Sequence, residues 1–164
     1  MISTSAQYAI RALAYMAAES EERDWFLNRE IARVVDLPPQ YLAKILRVLA
    51  SAGILESQRG KTGGFRLARS AGRISLLQIV QAFDTFGTKR VCLLGQSRCS
   101  DTSACILHWE WSELRDALVD SLRKRTLGEA VAQARGAKAA EQAPGGKVAQ
   151  QARGKVAAAG RRTR

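Results

Sequence analysis

The chain has 164 residues, with 26 Lys and Arg against 15 Asp and Glu, a net charge of +11 and an isoelectric point near 10.3. That length allows one domain with an appendage but not two ordinary domains, and the charge points to a polyanionic partner, nucleic acid before a membrane surface. Much of the excess sits at one end: residues 135–164 hold eight Lys and Arg against one acid, so the remainder is only mildly basic. No stretch approaches the roughly 20 apolar residues of a membrane span. The alanine-rich start lacks a basic n-region and is interrupted by Arg11, which argues against a signal peptide and predicts a cytoplasmic protein. Three cysteines without an export signal then suggest ligands or redox thiols rather than structural disulfides.

Ser5 to Ala18 reads as a first helix, its apolar surface built from Tyr8, Ile10, Leu13, Met16 and Ala17. Asn28 can cap a short second helix through Val35, with Ile31 and Ala32 inward. Asp36-Leu37-Pro38-Pro39 forces a turn, and Pro39 suits the first position of a third helix. In that helix Leu42, Ile45, Leu46 and Leu49 recur at i, i+3, i+4 and i+7, while Gln40, Tyr41, Lys44 and Arg47 occupy the other face. Gly53 fits its stop. Ile54 to Arg59 and Phe65 to Ala68 predict two strands joined by Gly60-Lys61-Thr62-Gly63-Gly64. Ser75 can cap a fourth helix from Leu76 to about Phe83. A long helix from about Leu107 to Arg125 carries one stripe of Leu107, Trp111, Leu114, Leu118 and Leu122. Beyond Gly136 the Ala, Gly, Gln, Lys and Arg composition predicts a disordered or transiently helical tail, either adding salt-dependent, non-specific affinity for DNA through its charge or serving as an inert solubilising extension.

A short helix, a tight turn, a second helix and a Gly-rich hairpin stand in the order of a winged helix-turn-helix. The expected fold class is mostly α with a small β-hairpin wing, and the expected partner is double-stranded DNA. The helix at Pro39 must bury its leucines while offering its N-terminal polar residues to the major groove. Gln40 can read a base edge, Tyr41 can contact phosphate or a thymine methyl, and Lys44 and Arg47 can hold the backbone or reach guanine. In the wing, Gly60, Gly63 and Gly64 let the backbone approach DNA, while Arg59, Lys61 and Arg66 add charge. A phosphate-loop reading of Gly60-Lys61-Thr62 fails, because Leu55 stands where that loop needs its first glycine and a strand follows instead of a helix. One histidine, no carboxylate pair and no nucleophile motif argue against an enzyme.

Cys92, Cys99, Cys105 and His108 are spaced C-x6-C-x5-C-x2-H, and His108 is the single histidine. Three thiolates and an imidazole can ligate an iron–sulfur cluster or bind zinc, although these loops exceed usual zinc-knuckle spacing. Lys89, Arg90 and Arg98 would favour the thiolate form that metal binding and redox sensing both require. Two function classes compete: a sensing transcription regulator, with or without a cluster, and a metal-binding protein-interaction module in iron–sulfur metabolism.

Ser5-Ala6-Gln7-Tyr8-Ala9-Ile10-Arg11-Ala12-Leu13, Arg29-Glu30-Ile31-Ala32, Pro39-Gln40-Tyr41-Leu42 and Arg59-Gly60-Lys61-Thr62-Gly63-Gly64-Phe65-Arg66-Leu67 resemble the bacterial Rrf2 family of IscR- and NsrR-type regulators. Thr126-Leu127-Gly128-Glu129 is similar to that family's ending after its long helix, so the resemblance spans roughly residues 1–131. It implies a homodimer whose first and last helices cross between subunits; the expected action is repression, and Trp109 and Trp111 read as core and dimer-interface residues. The implied layout is a winged helix-turn-helix at 1–88, a cysteine sensor loop and dimerisation helix at 89–131, and a basic low-complexity tail at 132–164. IscR-type members hold a 2Fe-2S cluster on C-x5-C-x5-C-x2-H, one residue shorter than the first spacing here. NsrR-type members use an acidic residue on the first helix, where this chain has Gln7, Tyr8 and Arg11. Ala43 stands where IscR has an acidic base-reading residue, so its operator preference does not carry over.

Overall fold

Pro38 and Pro39 separate two helices, because neither can donate a backbone hydrogen bond and the fixed φ of Pro39 suits a first helical turn. This computed structural model describes residues 2–60, 63–85, 92–96 and 100–142. Its elements are α1 (Thr4–Glu19), α2 (Asn28–Val35), α3 (Pro39–Ser51), β1 (Leu55–Gln58), β2 (Gly64–Leu67), a 3-10 turn (Ala71–Arg73), α4 (Leu76–Gln81), α5 (His108–Lys124) and α6 (Leu127–Gln142). β1 and β2 pair antiparallel, with Leu55 opposite Leu67 and Gln58 opposite Gly64. Met1–Ala130 form one compact unit and Val131–Arg164 a second.

All four periodic residues of α3 are buried, together with Ile31 and Val35 of α2 and Ile79 and Val80 of α4. The helix ends in a Schellman motif: Gly53, at φ 69°, donates to the Ala50 carbonyl, and the Ile54 N–H donates to that of Leu49, both at 3.0 Å. Ser75 and Gln78 form a reciprocal capping box at the start of α4. On α1 the buried set is Ala6, Ala9, Ala12, Leu13 and Met16, while Tyr8 and Ile10 are half-buried. Small side chains let α2 and α4 pack closely against that face.

Three elements depart from the sequence reading. Leu27, not Asn28, takes the N-cap position of α2, and Asn28 instead donates from Nδ2 to the Pro39 carbonyl at 2.9 Å, linking the first turns of α2 and α3. On α5 the buried residues are His108, Arg115 and Val119, whereas Leu107, Leu114 and Leu118 of the expected stripe are exposed. α4 has only six residues, and it covers one strip of α5 through Leu77 and Val80 against Val119, with Leu122 packed alongside. The last helix runs through Gly136 to Gln142, into the expected tail. A Thr126–Glu129 capping box starts it, and alanines, the best helix formers, continue it. The rest of the tail lies outside the described residues.

Backbone hydrogen bonds also tie the end of α5 to the start of α4. The Leu76 N–H donates to the Arg125 carbonyl at 2.9 Å, and the Leu127 N–H to that of Ile74 at 2.8 Å. The Arg69 guanidinium joins the hairpin to its surroundings through the carbonyls of Gly53 and Arg73 and the Gln78 side chain.

Between α1 and α2, the Tyr15 hydroxyl donates to Glu30 at 3.2 Å and the Arg23 guanidinium bonds both groups. The Arg23 hydrogen bond holds the Glu30 carboxyl below its ordinary value of 4.5, against the opposing effect of burial. A depressed folded pKa gives stability that is complete above 4.5 and lost as pH falls through the folded value. The melting temperature of the parent protein should therefore drop more steeply than that of Glu30→Gln as pH is lowered below 4.5; parallel curves would refute the role.

Phe26 and Phe65 exchange two backbone hydrogen bonds of 2.9 Å, laying the segment before α2 along β2. At Gly64 a Cβ would stand 2.4 Å from the Phe26 carbonyl oxygen. Gly64→Ala should thus cost about 1–3 kcal/mol by forcing these backbones apart. Thermal unfolding at the parent temperature would contradict this.

Candidate nucleic-acid interface and cysteine loop

The outward face of α3 presents Pro39, Gln40, Tyr41, Lys44 and Arg47, all exposed. Lys44 and Arg47 lie three residues apart and share a helix face, and neither forms an ion pair among the described residues. Tyr41 is 39% exposed, yet its hydroxyl lies 3.2 Å from Ser5 Oγ and its ring meets that of Tyr8 edge-on. It therefore braces α3 against α1 as well as facing solvent.

In the wing, Arg59 and Gly60 are exposed, and Gly60 takes a φ of 113° that favours glycine. Lys61 lies outside the described residues. Arg66 bonds Glu56, its partner across the strands, from Nε at 2.8 Å and Nη2 at 2.7 Å, and its guanidinium sits over the Trp25 ring. Its charge is already compensated. Gly63 and Gly64 answer an internal demand: a Cβ on Gly63 would be 2.2 Å from the Gln58 carbonyl oxygen. On α3 and the wing, Lys44, Arg47 and Arg59 form no ion pair among the described residues.

Between α3 and the wing opens a cleft of about 540 Å³ whose lining includes Asn28, Arg47, Ser57, Gln58 and Arg59. Sequence reasoning missed Asn28, Ser57 and Gln58 as site residues. The two strand residues carried a signal, since β1 is polar and exposed from Glu56 to Gln58.

In the cysteine loop, Cys92 and Cys105 are half-buried thiols with sulfurs 3.9 Å apart. Cys99 lies outside the described residues, as do Lys89, Arg90 and Arg98. The Cys105 carbonyl accepts the His108 N–H at 3.0 Å, joining the loop to the first turn of α5. His108 is 6% exposed, with Nε2 3.0 Å from Asp101 Oδ1 and its ring edge-on to Trp109. Asp101 was not anticipated, although it is the single carboxylate between Asp84 and Glu110.

Among the described residues, no three His, Cys, Asp or Glu side chains gather closely enough to hold a metal ion. The pair of sulfurs nevertheless fits one edge of a tetrahedral thiolate site, whose metal–sulfur distances of about 2.3 Å place sulfurs roughly 3.8 Å apart. A carboxylate on one imidazole nitrogen also matches the way ligating histidines are oriented. The donor chemistry therefore fits a metal centre, with His108 not brought into a common group with the two sulfurs.

The sequence profile of the Rrf2 family, described as iron-dependent transcriptional regulators, matches residues 2–133. A protein of Aquifex aeolicus assigned as an HTH-type transcriptional regulator is 32% identical, over 80% of this chain and 91% of its own. The HTH-type transcriptional regulator IscR of Cronobacter sakazakii is 29% identical, over 79% of each chain. Two solved structures share the fold. T. potens IscR has a TM-score of 0.63 at 23% identity, covering 82% of this chain and 88% of that one. CymR, the global cysteine regulator of B. subtilis, has a TM-score of 0.66 at 22% identity, covering 81% and 97%. No described helix is long and apolar enough to cross a membrane. Profile, relatives and winged helix-turn-helix agree, and the chain belongs to the Rrf2 family of DNA-binding transcriptional regulators.

Proposed function

We propose that this regulator acts as a homodimeric repressor whose grip on its operator is set by the state of the Cys92–His108 loop. The observation that carries the DNA contact is a set of three cations without ion pairs among the described residues: Arg47 and Arg59 line one cleft, and Lys44 stands three residues from Arg47 on the exposed face of α3. In this reading Pro39 starts a recognition helix that Gln40 and Tyr41 help present, while Arg59, Gly60 and Lys61 reach the adjacent backbone or minor groove. Gly63, Gly64 and Arg66 support the wing from inside. Exposure of Leu107, Leu114 and Leu118 along α5 supports pairing with a second copy, which would cover them. A footprint on the protein's own promoter should show two symmetric half-sites about one helical turn apart. Protection of a single half-site would remove the dimer, and no protection on any promoter would remove the repressor.

Cys92, Cys99, Cys105 and His108 are the residues that would hold an iron–sulfur cluster, of 2Fe-2S type by the family resemblance, which when bound supplies a redox-sensitive centre. Asp101 orients the His108 ring, and the Cys105 carbonyl ties the loop to α5. α5 rests on Leu77 and Val80 of α4, so a change in the loop can shift the population of DNA-competent dimers. Protein isolated without oxygen should be coloured and carry iron and sulfide, and Ser replacement of the three cysteines should abolish the colour. Colourless protein whose operator binding ignores those replacements would defeat the sensing role.

The 3.9 Å approach of Cys92 and Cys105 favours a second reading, in which the two thiols sense oxidants without a cluster. A peroxide would take two electrons and two protons from the pair, forming a disulfide and water. Colourless protein whose DNA affinity changes reversibly with peroxide and thiol reductant would support this reading over the first.

A further inference from the structure

The two ends of the Asn28 amide face different surroundings. Nδ2 donates to the Pro39 carbonyl, and because a carbonyl only accepts, the amide cannot be turned round. Oδ1 is buried and has no hydrogen-bond partner among the described residues. Buried acceptors are rarely left unmade, and Asn28 lines an open cleft from which a donor can come. The cleft holds Arg47 and Arg59 beside Asn28. A DNA backbone cannot satisfy this atom, since its phosphate and deoxyribose oxygens only accept. Among the donors lining the cleft, Ser57, Gln58, Arg47 and Arg59, only the two guanidiniums also carry the positive charge that a phosphate attracts, which suits an arginine to this atom in an interface with DNA.

Arg47 is the better placed of the two arginines. Helical side chains lean toward the helix N-terminus, and Asn28 is tied to the N-terminus of α3 at Pro39. A guanidinium also offers five donors in a rigid fork, enough to serve an amide oxygen and a phosphate together. We propose that Asn28 is a positioning residue of the DNA interface: in the operator complex its Oδ1 accepts a hydrogen bond from Arg47, whose remaining N–H groups hold a backbone phosphate. This rests on the DNA-binding reading and adds a member of the interface that makes no phosphate contact of its own.

The test is a double-mutant cycle in the full chain, using Asn28→Ala, Arg47→Ala and the pair. Affinity for the footprinted operator is measured by anisotropy at several salt concentrations, after thermal melts confirm folding. Asn28→Ala should weaken binding about tenfold, and the double variant should bind no more weakly than Arg47→Ala alone. Arg47→Ala should reduce the log-affinity against log-salt slope by about 0.9, and Asn28→Ala by part of that. Equal effects of Asn28→Ala in both backgrounds, or an unchanged slope, overturn the proposal. A change in preference at one base pair with the slope intact overturns it in favour of base reading. If Asn28→Ala does not fold, Arg47→Lys decides: lysine can meet a phosphate but lacks the fork, so parent-strength binding overturns the proposal and a tenfold loss supports it. A parent protein that binds no DNA defeats the DNA-binding reading as well, whereas tight binding with an additive cycle defeats this inference alone.

Discussion

The wing is held by an approach of two backbones so close that it leaves no room for a single carbon atom. A hairpin with two four-residue strands is marginal by itself in water. Here the segment at Phe26 supplies a short third partner, exchanging hydrogen bonds with Phe65 while Gly64 passes against the Phe26 carbonyl. α2 begins two residues later, and Asn28 in its first turn reaches the first residue of α3. One contact therefore registers the wing, α2 and α3 against each other. The cleft between α3 and the wing exists because these three are locked together, and Arg69 adds a tie from the end of the hairpin to Gly53, Arg73 and Gln78.

That arrangement divides the charges and glycines of the wing by role. Arg66 satisfies Glu56 across the strands and covers Trp25, so it stabilises the hairpin, whereas Arg59 forms no ion pair among the described residues. Gly63 and Gly64 are required by neighbouring carbonyls, while Gly60 has open space around it and is required by its backbone conformation alone. A basic, glycine-rich hairpin thus combines two kinds of residue that composition treats alike.

Features decided within one turn of chain were legible in the sequence. The α3 periodicity, the proline start, the Gly53 stop and the Ser75 cap each depend on residues no more than a few positions apart. Features decided between elements were not. Asparagine at a helix start can cap its own helix or bond another, and only the position of Pro39 selects the second for Asn28. The buried face of α5 is set by the shortness of α4, which no pattern within α5 records. Asp101 meets His108 across seven residues of loop, and Glu56 meets Arg66 through strand register. The cysteine spacing suggested a ligand set, and the structure brings Cys92 and Cys105 together while His108 turns to Asp101.

The backbone bonds joining Arg125 and Leu127 to Leu76 and Ile74 have a mechanical consequence. They make a fulcrum at one end of α5, and the cysteine loop is attached at the other. The 17 residues of this helix form a lever arm of about 25 Å. A displacement of about 1 Å at the loop then becomes a tilt of roughly 2° about the fulcrum, since a helix of that length moves as a rigid rod. Such a tilt would reach α4 where Leu77 and Val80 pack with Val119, close to the fulcrum, so that α4 would feel a movement beside the thiols as torque.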